Sequence, residues 1–459
     1  MPLTALGVAV AFAVLYRGGF PATARSIFVV LAAGALMVAM LHDERQARRA
    51  LRTPPVLILL ALAALSMVSA VWTLGEPAEA ARWGLVVAGY AAVAVTAAVV
   101  AGGSGPWRVA ALIGALALAC GVLGLLGAAL REEPWAERIG GTWRPGGTFE
   151  YPPALALLQV SALPLWLGGM VGARRPGAAL AAVGAVVSAM VLALSDSRLQ
   201  VALACTVLMA ALVWSPRLLA CSRRTLLPAL AVILGAAACA RMAAGGYVPP
   251  RALGGDVGRA LLLLSPGVLA LAWPWGREWL GGRGGSAGEP SARVGGALAC
   301  AGLVAVVLVS FLAAGPVEGR AVERSGGFAH GRLDTWEAAV ETAAERPVLG
   351  AGAEAFYTAS ARVQGKSPVR YAFNLPLESA VELGVAGLIL SLALLAFVGR
   401  TVWRARATPA LWLLGPAAAG FAATNLLDWP WHLPGAGAVW AGALGGLIGA
   451  TRQTIGGDG

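Results

Sequence analysis

Long apolar runs separated by short polar breaks occupy most of this sequence. A helix needs about 20 predominantly apolar residues to cross the hydrocarbon core of a bilayer. Of the 459 residues 58% are apolar and only 12% are charged, which excludes soluble globular and disordered chains. The runs predict an all-α, polytopic integral membrane protein with about 12–14 transmembrane helices. Their ranges are 3–16, 26–41, 54–72, 82–101, 107–130, 153–172, 177–195, 199–214, 225–244, 260–274, 294–314, 376–398, 409–427 and 434–450.

Two polar breaks are longer than the others and divide the chain. One runs from Arg131 to Pro152, and the other runs from Gly315 to about Leu375. We expect one integrated membrane domain with three parts. These are an N-terminal transmembrane bundle over 1–314, a large extracytoplasmic loop over 315–375 and C-terminal transmembrane helices over 376–459.

The large loop contains a predicted amphipathic helix over Gly331–Pro347. Leu333, Trp336 and Val340 recur at helical spacing, with acidic residues on other faces. We expect this helix to lie on the outer membrane surface.

The formal charge of +11 comes from 34 basic and 23 acidic residues. Alone, such an excess suggests a nucleic-acid partner. Counted by alternate connections, however, the arginines concentrate on one side, for example between Arg45 and Arg52 and between Arg400 and Arg406. The positive-inside rule places that side and both termini in the cytoplasm, with both long breaks outside. The excess is then explained by orientation, and we expect no nucleic-acid partner.

The five cysteines lie at no CxxC spacing, so neither a metal site nor a redox motif is indicated. No Walker, Rossmann, zinc or Ser-His-Asp pattern is present. We therefore expect no cofactor and no metal ligands.

Charged groups at membrane depth are costly, so those near outer span ends are candidate functional residues. The tight turn Ser195–Arg198 holds Asp196 and Arg198 close together. Arg198 either pairs locally or snorkels, or it binds two phosphate oxygens with its planar guanidinium. Arg332 opens the loop helix, where a cation opposes the helix dipole and calls for an anion.

A second cluster precedes the first C-terminal span. It begins with Arg370 and Asn374 and continues with Glu378 and Glu382, which share one helix face. Either the two glutamates cap the helix, or one has a raised pKa and serves as a base.

Of the three histidines, two are candidates for catalysis. His42 lies in a basic connection and is expected to be solvated. His330 precedes the loop helix and is either the N-terminal flank of that helix or a catalytic base. His432 lies in the tight aromatic connection Asp428–Pro434.

Four stretches together resemble the O-antigen ligase and O-antigen polymerase family of bacterial membrane glycosyltransferases. The most specific are Gly331–Trp336 followed by Arg346–Gly352, which resembles a "GR…W…A…RPxxGxG" signature, and Phe373–Gly387, which is similar to an "HN…E.G..G" segment. The other two are the Ser195–Arg198 turn and Gly147–Pro152. The likeness extends over about 60–440.

The resemblance implies a helical fold of the glycosyltransferase C type and a sugar chain carried on undecaprenyl diphosphate. The chain would be transferred to a glycan, glycolipid or protein acceptor at the outer side of the cytoplasmic membrane, without a metal. By this resemblance Arg198 and Arg332 bind the diphosphate. The candidate catalytic residues are Arg198, Arg332, His330, Glu382 and His432. The candidate substrate-binding residues are Arg198, Arg332, Arg370, Asn374, Glu378 and Trp336.

The sequence departs from the family pattern at Phe373, which occupies the position of the family's loop histidine. Phenylalanine cannot accept a proton. Either His330, His432 or Glu382 takes over that role, or the chain belongs to a branch with different chemistry, or it is a non-catalytic member. A flippase for lipid-linked glycans is a further alternative, for which broken helices at the midplane would be expected.

Overall fold

The computed structural model describes residues 1–139, 142–214, 232–238, 240, 266–275, 331–364 and 368–456. Side chains of 208–214 and 452–456 are outside this description. Chain contacts divide the protein into two compact units, Met1–Leu112 with Ala321–Gly459 (unit 1) and Ile113–Arg320 (unit 2). The predicted three-part organisation remains a prediction.

The described chain is almost entirely helical, as the apolar runs predict. The helices are α1 Pro2–Leu15, α2 Ala22–His42, α3 Glu44–Leu51, α4 Pro54–Ser69, α5 Pro77–Ser104, α6 Trp107–Leu130, α7 Pro152–Gly172, α8 Arg175–Ser195, α9 Arg198–Trp214, α10 Arg332–Glu345, α11 Phe356–Gln364, α12 Leu375–Arg404, α13 Ala410–Thr424 and α14 Pro434–Gly456. The antiparallel strands β1 Ala136–Ile139 and β2 Thr142–Pro145 form a hairpin inside the first long break.

Within the described residues, six helices are long and apolar enough to cross a membrane: α2, α5, α6, α7, α8 and α12. The count becomes seven if α3 and α4, which are bent by 69° at a short break, form one span. An all-α polytopic membrane protein is therefore confirmed. The predicted runs at 225–244 and 260–274 lie partly outside the described residues, and the run at 294–314 lies entirely outside them.

Unit 1 is built around α5, whose apolar window is 89% buried. This helix packs against α1, α2, α4 and α14. The approach to α14 is close because Gly445 and Gly449 face α5; a Cβ at either position would overlap the carbonyl of Ala94 or Ala98. Small residues at such spacing are a common means of packing membrane helices tightly.

Unit 2 contains the α7–α8 pair, with α9 packed on α7. Its apolar core includes Val160 and Leu163 of α7 together with Leu192 of α8. A buried polar bridge adds specificity, because Gln159 donates to the Ala117 carbonyl at 2.9 Å and accepts from the Ser188 hydroxyl at 2.8 Å.

Candidate functional site

Four connections of unit 1 meet at one end of its helices. They precede α2, precede α5, link α10 to α12 and link α13 to α14. The positive-inside count predicts all four to be on the outer side. Their meeting agrees with the predicted alternation of the spans, and the side of the membrane they face remains a prediction.

His432 is at the centre of this end and lies between two carboxylates. Its Nδ1 is 3.0 Å from Glu354 Oε1, and its Nε2 hydrogen-bonds Glu378 Oε1. Two aromatic rings sandwich the imidazole, Tyr371 at 4.0 Å and Trp83 at 4.7 Å between ring centroids. The His432 and Glu354 side chains are each only 2% exposed. We call His432, Glu354 and Glu378 the histidine–carboxylate cluster.

The cluster keeps His432 in its charged form. Burial lowers the pKa of His432, but the Glu378 charge and the hydrogen bonds to both carboxylates outweigh burial and raise the pKa to about 10. Burial raises the pKa of Glu354, yet the hydrogen bond from His432 and the charges of His432, Arg25 and Arg370 lower it to about 2. Both ring nitrogens therefore donate at neutral pH, and neither is free to accept a proton.

Arg25 extends the cluster towards the surface. This arginine is 2% exposed and lies 3.8 Å from Glu354 and 3.6 Å from Glu79. Glu79 in turn pairs with Arg82, and both are 28% exposed. A buried guanidinium needs such partners, because an uncompensated charge in a low-dielectric interior is strongly disfavoured.

The two signature segments of the sequence fold against each other beside this cluster. Ala351 N–H donates to the Val381 carbonyl at 2.8 Å, and Gly352 N–H donates to the Glu382 carbonyl at 2.7 Å. Gly350 has a positive φ of 67°, and a Cβ there would overlap the Glu382 carbonyl. The glycine therefore permits both the turn and the close approach, which brings Glu354 to His432.

Glu382 differs from the other two glutamates because it has no ion-pair partner among the described residues. One of its oxygens accepts from Phe356 N–H at 3.2 Å, and the residue is 5% exposed. It borders a small cavity of about 20 Å³ that Glu378, His432, Ser66 and Ser379 also line. A cavity of that size has room for one water molecule.

Arg332 stands at the first position of α10, which begins at the residue predicted. Its guanidinium lies 5.7 Å from the centroid of the Phe373 ring, a cation–π arrangement. Phe373 has a φ of 54°, unusual for a residue with a bulky side chain. The phenylalanine in the position of the family histidine thus contacts the side chain of Arg332, the predicted phosphate-binding arginine.

Trp336, Asn374 and Glu378 have structural partners in this region. Trp336 Nε1 donates to the Ala372 carbonyl at 3.0 Å. Asn374 caps α12 by accepting from Leu377 N–H at 3.0 Å. Glu378 accepts from Ala372 N–H at 2.7 Å as well as from His432, so neither it nor Glu382 caps its own helix.

Arg370 remains partly accessible beside the cluster. Its side chain is 55% exposed and lies 3.4 Å from Glu354. The guanidinium also covers the rings of Phe20 and Tyr371 at 5.8 Å and 5.5 Å from their centroids. It is an exposed cation fixed over an aromatic surface.

The Ser195–Arg198 turn belongs to unit 2. Asp196, at a φ of 55°, pairs with Arg144 at 2.8 Å rather than with Arg198. Arg198 is exposed and has no ion-pair partner among the residues described. The local ion pair that was one interpretation of Arg198 is absent there.

His330 lies outside the described residues. The sequence reasoning missed Arg25, Glu79, Glu354, Trp83 and Tyr371. One signal was readable: Arg25 is a charged residue near the start of an apolar run, and such residues are often functional. In the part of the chain that the structure describes, no three His, Cys, Asp or Glu side chains are arranged to hold a metal ion.

Comparison with known proteins finds one family model that matches part of the chain. The sequence model described as O-antigen ligase matches residues 257–392, which include Arg332, Arg370, Glu378 and Glu382 but neither Arg198 nor His432. No curated protein sequence matches the chain. The match supports the resemblance over residues 257–392, where the sequence is similar to the O-antigen ligase family, and the apolar helices make the chain a multi-pass membrane protein.

Proposed function

We propose that this protein transfers a glycan from undecaprenyl diphosphate to an acceptor hydroxyl at the outer side of the cytoplasmic membrane. The observation that supports it most is the folding of both signature segments onto one buried charged cluster. The same segments carry Arg332 and Arg370, which are cations of the kind that bind a diphosphate.

In the proposed reaction the acceptor oxygen attacks the anomeric carbon of the donor sugar. The bond from that carbon to the diphosphate oxygen breaks, and the electron pair leaves with the diphosphate. Arginine charges stabilise this leaving group most strongly where water is excluded. Arg332 is the first candidate for this role, and Arg198 and Arg370 are further candidates.

The acceptor proton needs a base, and Phe373 cannot serve. His432 is already protonated and is engaged by both carboxylates. Glu382 has no ion-pair partner among the described residues and borders the cavity, so we assign it as the proton acceptor, through one water molecule. His432 and Asn374 then hold the loop segments in position, and no metal takes part in this scheme.

The acceptor is a glycan, a glycolipid or a protein, and the shared motifs fit a ligase and a polymerase equally. Both termini are proposed to be cytoplasmic, from the distribution of arginines. Transfer would then occur at the end of unit 1 that holds the histidine–carboxylate cluster.

The test is a transfer assay with purified protein in liposomes that contain a labelled lipid-linked glycan and a candidate acceptor. We expect release of the lipid diphosphate and labelling of the acceptor. Arg332→Ala and Arg198→Ala should each lower transfer by about 10²–10³-fold, the cost of losing one donor that stabilises developing charge. Arg362→Ala is the matched control, because this arginine is 81% exposed and pairs only with Glu345 among the described residues.

Three results would contradict the proposal. Normal transfer by both arginine variants would make the site assignment wrong. Movement of the labelled lipid across the bilayer without chemical change would favour the flippase. Folded wild-type protein that neither transfers nor moves any supplied donor, and in which Phe373→His restores transfer, would identify a non-catalytic member.

A further inference from the structure

The turn that follows α10 exposes two neighbouring apolar side chains. Val348 is 69% exposed and Leu349 is 56% exposed. Single exposed apolar residues are common on protein surfaces, but an adjacent pair that continues a larger apolar surface marks an interaction site.

This turn is fixed directly on α12. Val385 N–H donates to the Pro347 carbonyl at 2.8 Å. A Cβ at Gly384 would overlap the Val348 carbonyl, so the glycine allows the two backbones to touch. On its other side Trp72 Nε1 donates to the Leu349 carbonyl at 3.0 Å. The position of the turn relative to the helix is therefore set by backbone contacts.

The depth of the turn follows from the shape of α12. The helix bends at Gly384, which has φ 65° and ψ −157°. From Val385 to Arg404 it contains about 20 residues and is about 30 Å long, the thickness of the hydrocarbon core. Val385 therefore lies at one edge of that core, and so does the turn bonded to it.

The exposed apolar surface is continuous at this edge. Val385, Ile389 and Leu392 are 50%, 60% and 50% exposed along one face of α12. Val71, just beyond α4 and next to Trp72, is 87% exposed. Val348 and Leu349 extend the surface that a spanning helix presents to lipid.

We infer that Val348 and Leu349 insert into the edge of the bilayer hydrocarbon and contact lipid acyl chains. The neighbouring Arg346 is exposed, and an arginine at that level suits the phosphates of the lipid headgroups. The "RPxxGxG" signature then has two parts. Its glycines place the backbone against α12, and its two variable positions anchor the loop in the membrane. This inference does not depend on the transfer reaction.

Photo-crosslinking tests the insertion directly. Benzoylphenylalanine is placed at Leu349 or, in a second variant, at Val348, and the full chain is reconstituted in vesicles of phosphatidylglycerol and phosphatidylethanolamine. The probe attacks C–H bonds, so an acyl chain gives an adduct with the mass of one phospholipid. Matched positions are Ile389, in the middle of the exposed face of α12, and Arg362, which is 81% exposed on α11.

We expect phospholipid adducts at 349, 348 and 389 and none above background at 362. Absence of adducts at both 348 and 349, while 389 reacts, would overturn the inference. Crosslinks from 348 or 349 to a second copy of the chain would overturn it as well and identify a protein interface. A second set of vesicles contains a polyprenyl phosphate in addition to the phospholipids. Adducts with the mass of the polyprenyl lipid in place of the phospholipid would show that acyl chains are not the partner, and would overturn the inference.

Discussion

Two regions of this protein hold charged side chains in opposite ways. In unit 1, His432 and Glu354 are each 2% exposed and compensate each other. In unit 2, Arg144 and Asp196 form a pair that is 19% and 36% exposed, and Arg198 beside it stays exposed without an ion pair among the described residues. Buried, mutually neutralised charges fix a conformation, whereas an exposed cation without a partner is available to a ligand.

The largest expected effect is on stability and comes from His432→Ala. The change leaves Glu354 and Glu378 buried beside each other without their shared cation, which costs about 3–5 kcal/mol. Unfolding of the purified protein in one fixed detergent measures it. His42→Ala, at an exposed position, is the control and should stay within about 0.5 kcal/mol of wild type. Equal stability of both variants would show that the cluster is not a fixed ion-paired network.

Glu382→Gln should separate catalysis from stability. The amide keeps the size of the side chain and still accepts from Phe356 N–H, but it cannot take a proton. We expect the rate of transfer at saturating donor to fall by about 10²–10⁴-fold with little change in unfolding. Glu341→Gln, exposed on α10, is the matched control. A variant as active as wild type would remove Glu382 from the mechanism.

The pH dependence of stability provides a third test. The pKa of His432 is raised from 6.5 to about 10, so its contribution is complete below pH 6.5 and is lost as the pH rises to about 10. The pKa of Glu354 is lowered from 4.5 to about 2, so its contribution is complete above pH 4.5 and is lost as the pH falls to about 2. The temperature of thermal unfolding should therefore be highest near pH 4.5–6.5. His432→Gln should flatten the alkaline decline, and an unchanged decline would contradict the assignment.

The smallest effect is expected in unit 2 from Asp196→Asn. Asparagine tolerates the positive φ of this position while it removes the charge facing Arg144. Because the pair is partly exposed, the loss should be about 0.2–1 kcal/mol, measured by unfolding. Transfer should be unchanged, in contrast to Arg198→Ala. A matching loss of transfer would mean that Asp196 and Arg198 act together.

The spans were predictable because apolar composition alone determines which segments can enter a bilayer. The predicted run 153–172 corresponds to α7, and 376–398 lies within α12. The loop helix was also predicted nearly to its ends. Its buried side was not, because it is formed by small residues, Thr335, Ala338, Ala339 and Thr342, while Leu333 and Val340 are exposed. The close packing of these small side chains against α12 and α11 cannot be inferred from hydropathy.

The site was predictable only in part. Glu378, Glu382, Arg370 and His432 were found because they stand near span ends or within recognisable segments. Their partners are Arg25, in the first turn of α2, and Glu354, in the link between α10 and α12, which lie more than 300 residues apart in the chain. A single sequence has local periodicity but no record of such contacts. The state of His432 was equally hidden, because it depends on both carboxylates.

The position of His432 in the chain has a consequence for biosynthesis. Arg25, Glu354 and Glu378 all precede it, so membrane insertion delivers the two carboxylates to the bundle before their shared cation is synthesised. Only the connection before α14, the last helix described, completes the charge balance. Nascent chains that stop short of this connection would hold the Glu378 carboxylate without the imidazole that pairs with it.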